Sequence, residues 1–228
     1  MLKLISSMAT RQVLAELAAV WQQTSGVAVV IESVGGVDAA KRVQAGEAFD
    51  GVVLASDAID KLMSGGQVLA GSRVDLVRSS VAVALKAGAP RPDISTESAL
   101  RRAIVAAPTI GYSTGPSGVA LVKLFERWGL LETLQARIVQ APPGVPVGTL
   151  VARGEVALGF QQLSELMHLD GIEVLGVLPE PVSITTVFSA AVCAASSQAE
   201  ALGRLLAFMA SAEAAAVKRR HGMEPATD

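Results

Sequence analysis

The sequence predicts an α/β protein of two lobes, each a mainly parallel sheet flanked by helices, joined by two crossings of the chain. Three observations predict it. Short β-branched runs alternate with helix-periodic stretches, the mark of βα units with right-handed crossovers. Two long extended apolar runs, 74–85 and 185–193, interrupt that alternation. The composition is 51% hydrophobic with 21 glycines and only 4% aromatics, which suits helices packed closely on sheets. At 228 residues the chain is long enough for a substantial core in one large domain or two small ones. The extended runs argue for two. We expect a first lobe from residues 1–79 and 188–228, and a second lobe, 80–187, inserted between them. Two strands joining two lobes would form a hinge.

Residues 2–5 read as a short strand ending in Ser6 and Ser7. Val13, Leu14, Leu17, Ala18 and Trp21 then recur at helical spacing until Gly26 closes the segment. Residues 27–31 form a continuous apolar strand, followed by a loop through Ser33, Gly35 and Gly36 and a helix that stops at Gly46. A third strand at 52–54 leads into a helix ending at Gly65 and Gly66. Beyond the first extended run, Pro90 and Pro92 break the chain, and a helix capped by Ser95 or Thr96 runs to Ala106.

Residues 109–112 are a strand that breaks into Ser113, Thr114, Gly115, Pro116, Ser117 and Gly118 before a helix begins. Such a helix start presents unpaired N–H groups and the positive end of a dipole, so it suits an anion; an ordinary cap made by Ser117 is the plainer reading. Further strands are expected at 137–139, 156–160 and 172–177, with a helix at 147–152 after the loop containing Gly144 and Val145. Gln161 and Gln162 follow the 156–160 strand. Two alanine-rich helices, about 198–209 and from 211 towards 220, close the chain.

The formal net charge is −2 and no block of like charge occurs, which argues against nucleic acid as a partner. Cys193 is the only cysteine, so no internal disulfide or thiolate metal cluster is expected, and neither a metal nor another cofactor is implied. No apolar run is long enough to cross a bilayer. The first strand follows Met1 at once, so the compartment is cytoplasmic if Met1 is the native start and periplasmic if a leader was removed. A monomer is expected.

In open parallel sheets ligands sit beyond the carboxyl ends of the strands. That rule selects Ser6, Ser7, Gly35 and Gly36 in the first lobe, and Ser113, Thr114, Ser117, Gly118, Val145, Gln161 and Gln162 in the second. All offer uncharged donors, which suit a small oxyanion or carboxylate. Arg78, at the first crossing, could reach a ligand carboxylate.

The chain resembles the type II periplasmic solute-binding proteins, in particular the molybdate-binding-protein-like branch. The resemblance rests on Ser6 and Ser7 before the first helix, Thr24-Ser25-Gly26, Gly46-Glu47-Ala48-Phe49-Asp50, Leu54-Ala55-Ser56, Gly71-Ser72-Arg73 and Val151-Ala152-Arg153-Gly154-Glu155. It implies a protein that captures a small anion in the inter-lobe cleft for an ABC transporter permease. Molybdate binders have a second-loop serine and a tyrosine after the last strand of the inserted lobe. Here Val34, Gly35 and Gly36 form the second loop, with Ser33 before it, and Gln161 and Gln162 stand near the tyrosine position. With the Tyr112 to Gly118 loop, these features are similar to a sub-branch related to aconitate isomerases.

The alternative function is therefore an isomerase of a small unsaturated polycarboxylate on the same fold. It needs a positioned base. His168, His221, Glu165 and Glu32 are the groups to consider, and each also reads as structural, capping or solvated. The catalytic residues are thus open. A ligand-sensing module of a regulator is a third class, weakened by the lack of an attached DNA-binding segment.

Overall fold

The computed structural model describes residues 1–226. Its elements begin with β1 (Leu2–Ser7), α1 (Arg11–Ser25), β2 (Val29–Val34), α2 (Gly36–Gln44), β3 (Gly51–Ala55), α3 (Ser56–Ser64) and the long β4 (Val74–Lys86). They continue with α4 (Glu97–Ala106), β5 (Ile110–Tyr112), α5 (Pro116–Arg127), α6 (Leu131–Leu134), β6 (Ile138–Gln140), α7 (Val147–Arg153), β7 (Leu158–Gln162), α8 (Leu163–Leu166) and β8 (Ile172–Val177). Last come β9 (Thr185–Val192), α9 (Ala199–Ala210), α10 (Ala215–Arg220) and β10 (Met223–Pro225). The chain divides into two compact units, Ser80–Thr185 and the remainder, Met1–Ser79 with the segment that starts at Thr186.

In the discontinuous unit the strand order is β2-β1-β3-β9-β4, with β10 also paired to β4. β1 runs parallel to β2 and β3, whereas β3 and β9 are antiparallel. α1 buries Val13, Leu14, Leu17 and Ala18 and ends at Gly26, whose φ of 70° closes the helix in the left-handed region. Its apolar face joins Leu2, Leu4, Val53, Leu202, Leu205 and Met223 in one core. A Cβ on Gly51 would stand 2.8 Å from Leu202 Cδ2, so the bare backbone of β3 is what lets α9 come close.

In the continuous unit the order is β4-β7-β5-β6, and β8 also pairs with β4. β5 is parallel to both β6 and β7; β4 is antiparallel to β7 and β8. Burial of Leu100, Ile110, Leu121, Phe125, Leu158 and Phe160 makes its main core.

Several boundaries differ from the sequence expectation. β7 begins at Leu158 and includes Gln161 and Gln162, because the apolar pattern stops before the hydrogen-bonded ladder does. α5 starts at Pro116 with Gly115 as its N-cap, so Ser117 lies inside the helix and does not cap it. Thr96, not Ser95, caps α4, accepting from the Ala99 N–H at 3.1 Å. The short α6 and β10 have too few residues for a periodic pattern to show.

Candidate functional site

At the carboxyl end of β1, Ser6 is fully buried and Ser7 nearly so. The parallel register sets Ser6 opposite Ser33, and their hydroxyl oxygens lie 2.8 Å apart. Ser33, expected from the sequence in the loop, lies on β2 and joins this donor set through the strand register. Ser7 Oγ lies 3.4 Å from Thr10 Oγ1. Gly35 is the N-cap of α2 and Gly36 its first residue, with Asp38 in the first turn. That carboxylate already complements the helix dipole and opposes a second anion there. Arg78 lies on β4, in register with Glu224 of β10.

The continuous unit holds the larger group. Tyr112 is in register with both Phe160 and Gln140, so the chain leaving β5 at Ser113 emerges level with Gln161. Ser113 and Ser117 hydroxyls are 3.4 Å apart, one turn of loop folding Ser113 back over the start of α5. A Cβ on Gly118 would lie 1.8 Å from the Ser113 carbonyl oxygen; only glycine permits that closure. α5 has no acidic residue in its first turn. Thr114 is exposed. The Val145 N–H is taken by the Pro142 carbonyl at 3.0 Å.

Gln161 and Gln162 are 3% and 2% exposed, and as neighbours in a strand they point to opposite faces of the sheet. Gln161 bridges two elements. Its Oε1 accepts from the Val147 N–H at 2.8 Å and its Nε2 donates to Glu165 Oε1 at 2.8 Å. α7 comes near enough for the first bond because glycines lie beneath it: a Cβ on Gly159 would be 2.5 Å from Val151 Cγ2. Burial of the Glu165 carboxyl pushes it up to about 7, against the smaller opposing effect of the Gln161 hydrogen bond. Sequence reasoning placed Glu165 among the candidate bases without a reason to prefer it; the Gln161 contact supplies one.

The other three candidates are placed differently. Glu32 is hydrogen-bonded to Arg42, which lowers its pKa. His221 Nε2 lies 2.7 Å from Glu16 Oε2, and His168 is exposed. Among the described residues no group of three or more His, Cys, Asp or Glu side chains could hold a metal ion, and no helix is long and apolar enough to cross a membrane. A groove of ≈ 580 Å³ in the continuous unit is lined by Ser80, Arg91, Asp93, Leu178 and Thr185 among others. None of the sheet-edge donors lines it, so it is separate from the chemistry described above.

The model of the bacterial extracellular solute-binding proteins matches residues 2–224. The chain belongs to that family. It is 37% identical over 230 residues to an aconitate isomerase from Pseudomonas, covering 98% of this chain and 87% of that protein. The periplasmic molybdate-binding protein of Azotobacter vinelandii superposes with a TM-score of 0.80 at 23% identity, covering 98% of each chain. A sulfate-binding protein of Mycobacterium tuberculosis gives 0.79 at 16% identity, over 99% of this chain and 87% of that one. These structures share the fold, the type II binding-protein arrangement that this family member also adopts.

Proposed function

We propose that this solute-binding protein captures a small carboxylate-bearing anion through uncharged donors and delivers it to an ABC transporter permease. Gln161 carries the reading: a buried amide, fixed at both ends, at the carboxyl end of β7, whose parallel neighbour β5 leads into the Ser113 and Ser117 hydroxyls. Buried polar groups of this kind hold an anion by hydrogen bonds that strengthen as water is excluded. The relative that is 37% identical is named for aconitate, a tricarboxylate, which supports a carboxylate over a metal oxyanion. Thermal-shift screening with trans-aconitate, citrate, molybdate and sulfate tests this. A ligand at a hundredfold excess over its Kd adds about 2.7 kcal/mol of stability. We expect polycarboxylates to raise the melting temperature and Ser117→Ala to reduce that rise more than it lowers the melting temperature of the free protein. A response to molybdate alone would overturn the carboxylate assignment.

One observation favours a second reading, isomerisation of such a ligand. Glu165 keeps a carboxyl that changes charge near neutral pH, which suits a general base. Conversion of trans-aconitate to its cis isomer, followed by absorbance, decides between capture alone and turnover.

A further inference from the structure

We propose that Glu165 is the group that moves the proton in the isomerisation, with Gln161 as the residue that positions its carboxyl. The inference rests on that second reading and adds the residue that performs it. The orientation of Gln161 follows from elementary hydrogen bonding. A backbone N–H can only donate, so the amide must turn its oxygen to Val147, 2.8 Å away. Its NH₂ is then left for Glu165 Oε1, also at 2.8 Å. Because Gln161 is buried in β7 and anchored to the first residue of α7, it holds one carboxylate oxygen in place and leaves the other to act.

The other three candidate groups do not offer this combination. Glu32 faces the Arg42 guanidinium, which keeps it ionised and weakly basic. His221 is engaged with Glu16 in the discontinuous unit. Around Glu165 the packed elements bring little charge. β7 contributes the two glutamines, β4 and β8 meet α8 through Ala82, Ala84, Ile172 and Val174, and the ionisable residue of α7, Arg153, sits at the far end of that helix with Glu155 at 3.9 Å. On the loop after α8, His168 is exposed. Burial therefore governs this carboxyl, and it titrates close to neutral pH.

The chemistry balances within a single residue. The substrate class is an unsaturated polycarboxylate with a methylene between a carboxylate and the double bond. The ionised Glu165 carboxylate takes a proton from that methylene, and the C–H electron pair spreads over the three-carbon allylic unit and its carboxylates. The protonated Glu165 then returns the proton to the carbon at the other end of the unit. The double bond has moved by one position, and no proton or electron is gained or lost. The Ser113 and Ser117 hydroxyls, beyond the carboxyl end of the parallel neighbour β5, are suited to bear the charge that gathers on a substrate carboxylate.

The test uses the full chain and trans-aconitate as probe, with turnover read by absorbance and proton exchange by deuterium uptake from D₂O. In the wild type, kcat/KM should rise with pH through a midpoint near neutrality. Glu165→Gln should lower turnover at least about a hundredfold while trans-aconitate still raises its melting temperature. Glu165→Asp keeps the carboxyl but shortens its reach, and serves if the glutamine variant fails to fold; it should lose at least about tenfold. Gln161→Ala removes a hydrogen bond to the ionised form and should move the pH midpoint upward, which a purely structural role would not do. Wild-type turnover that survives in both Glu165 variants with an unchanged pH profile overturns this inference and leaves isomerisation standing. Absence of turnover and exchange in the wild type overturns both.

Discussion

Glu165 folds more readily as the acid than as the carboxylate. Burial raises it from 4.5 to about 7, so between those values the folded protein holds a proton that the unfolded chain has released. Stability from this group is therefore full below about pH 4.5 and is lost as the pH rises through about 7. The loss is at most about 3 kcal/mol, since the side chain keeps some exposure. Comparison with Glu165→Gln isolates this contribution from the carboxylates that shift the other way, such as Asp75, which Arg73 and Ser189 hold below its usual range. We expect the variant and the wild type to have similar denaturation midpoints at pH 4, and the variant to be the more stable at pH 8. A constant difference across that range would show that the carboxyl is not buried as described. The same property explains why Glu165 is costly as a structural residue and useful as a proton carrier. Nothing in its immediate sequence, Gln161-Gln162-Leu163-Ser164-Glu165, distinguishes a buried carboxyl from one that merely favours the start of a short helix.

The packing of α7 on the sheet decides whether Gln161 can bridge to Glu165. Gly111 and Gly159 lie under it; Cβ atoms there would meet Val147 Cγ1 at 3.3 Å and Val151 Cγ2 at 2.5 Å. Gly159→Ala must push α7 outward and with it the Val147 N–H that fixes Gln161. Overpacking of this kind costs about 1–3 kcal/mol, so the urea midpoint should fall, and the response to trans-aconitate should weaken with it; an unchanged midpoint would mean that α7 adjusts freely. Elements of this sort were legible from the sequence because periodicity and glycine punctuation are local signals. Strand β7 shows the limit: its apolar run ends at Phe160, yet the ladder to Val81 and Ala82 of β4 carries on through both glutamines. The pairing of Ser6 with Ser33 was hidden for the same reason, since residues 27 positions apart meet only through the β1–β2 register. The sequence marks a strand, a turn and a helix start between Ile110 and Gly118, but the helix begins at Pro116 with Gly115 as its cap, and the hydroxyl of Ser117 turns to Ser113.

At the scale of the whole chain, the two units differ in how their cores are assembled from sequence. Every residue of the three apolar clusters around Leu100, Val147 and Leu166 falls within the Ser80–Thr185 unit. The clusters of the other unit draw on both ends of the chain: Leu4 and Leu17 pack in one with Leu202, Leu205 and Met209, and Ile5 and Val52 in another with Ala191 and Cys193. β3 pairs along its length with β9, so residues 1–79 alone would expose that edge as well as the apolar faces that α9 covers. Residues 80–185 expressed alone should therefore unfold in one cooperative thermal transition by circular dichroism, because each of their clusters is complete. Residues 1–79 alone should show no such transition, and joining them through a short linker to residues 186–228 should restore one. A cooperative transition in the 1–79 fragment by itself would show that its β1–β3 layer is sufficient and that the C-terminal helices are an addition to that core, not a part of it.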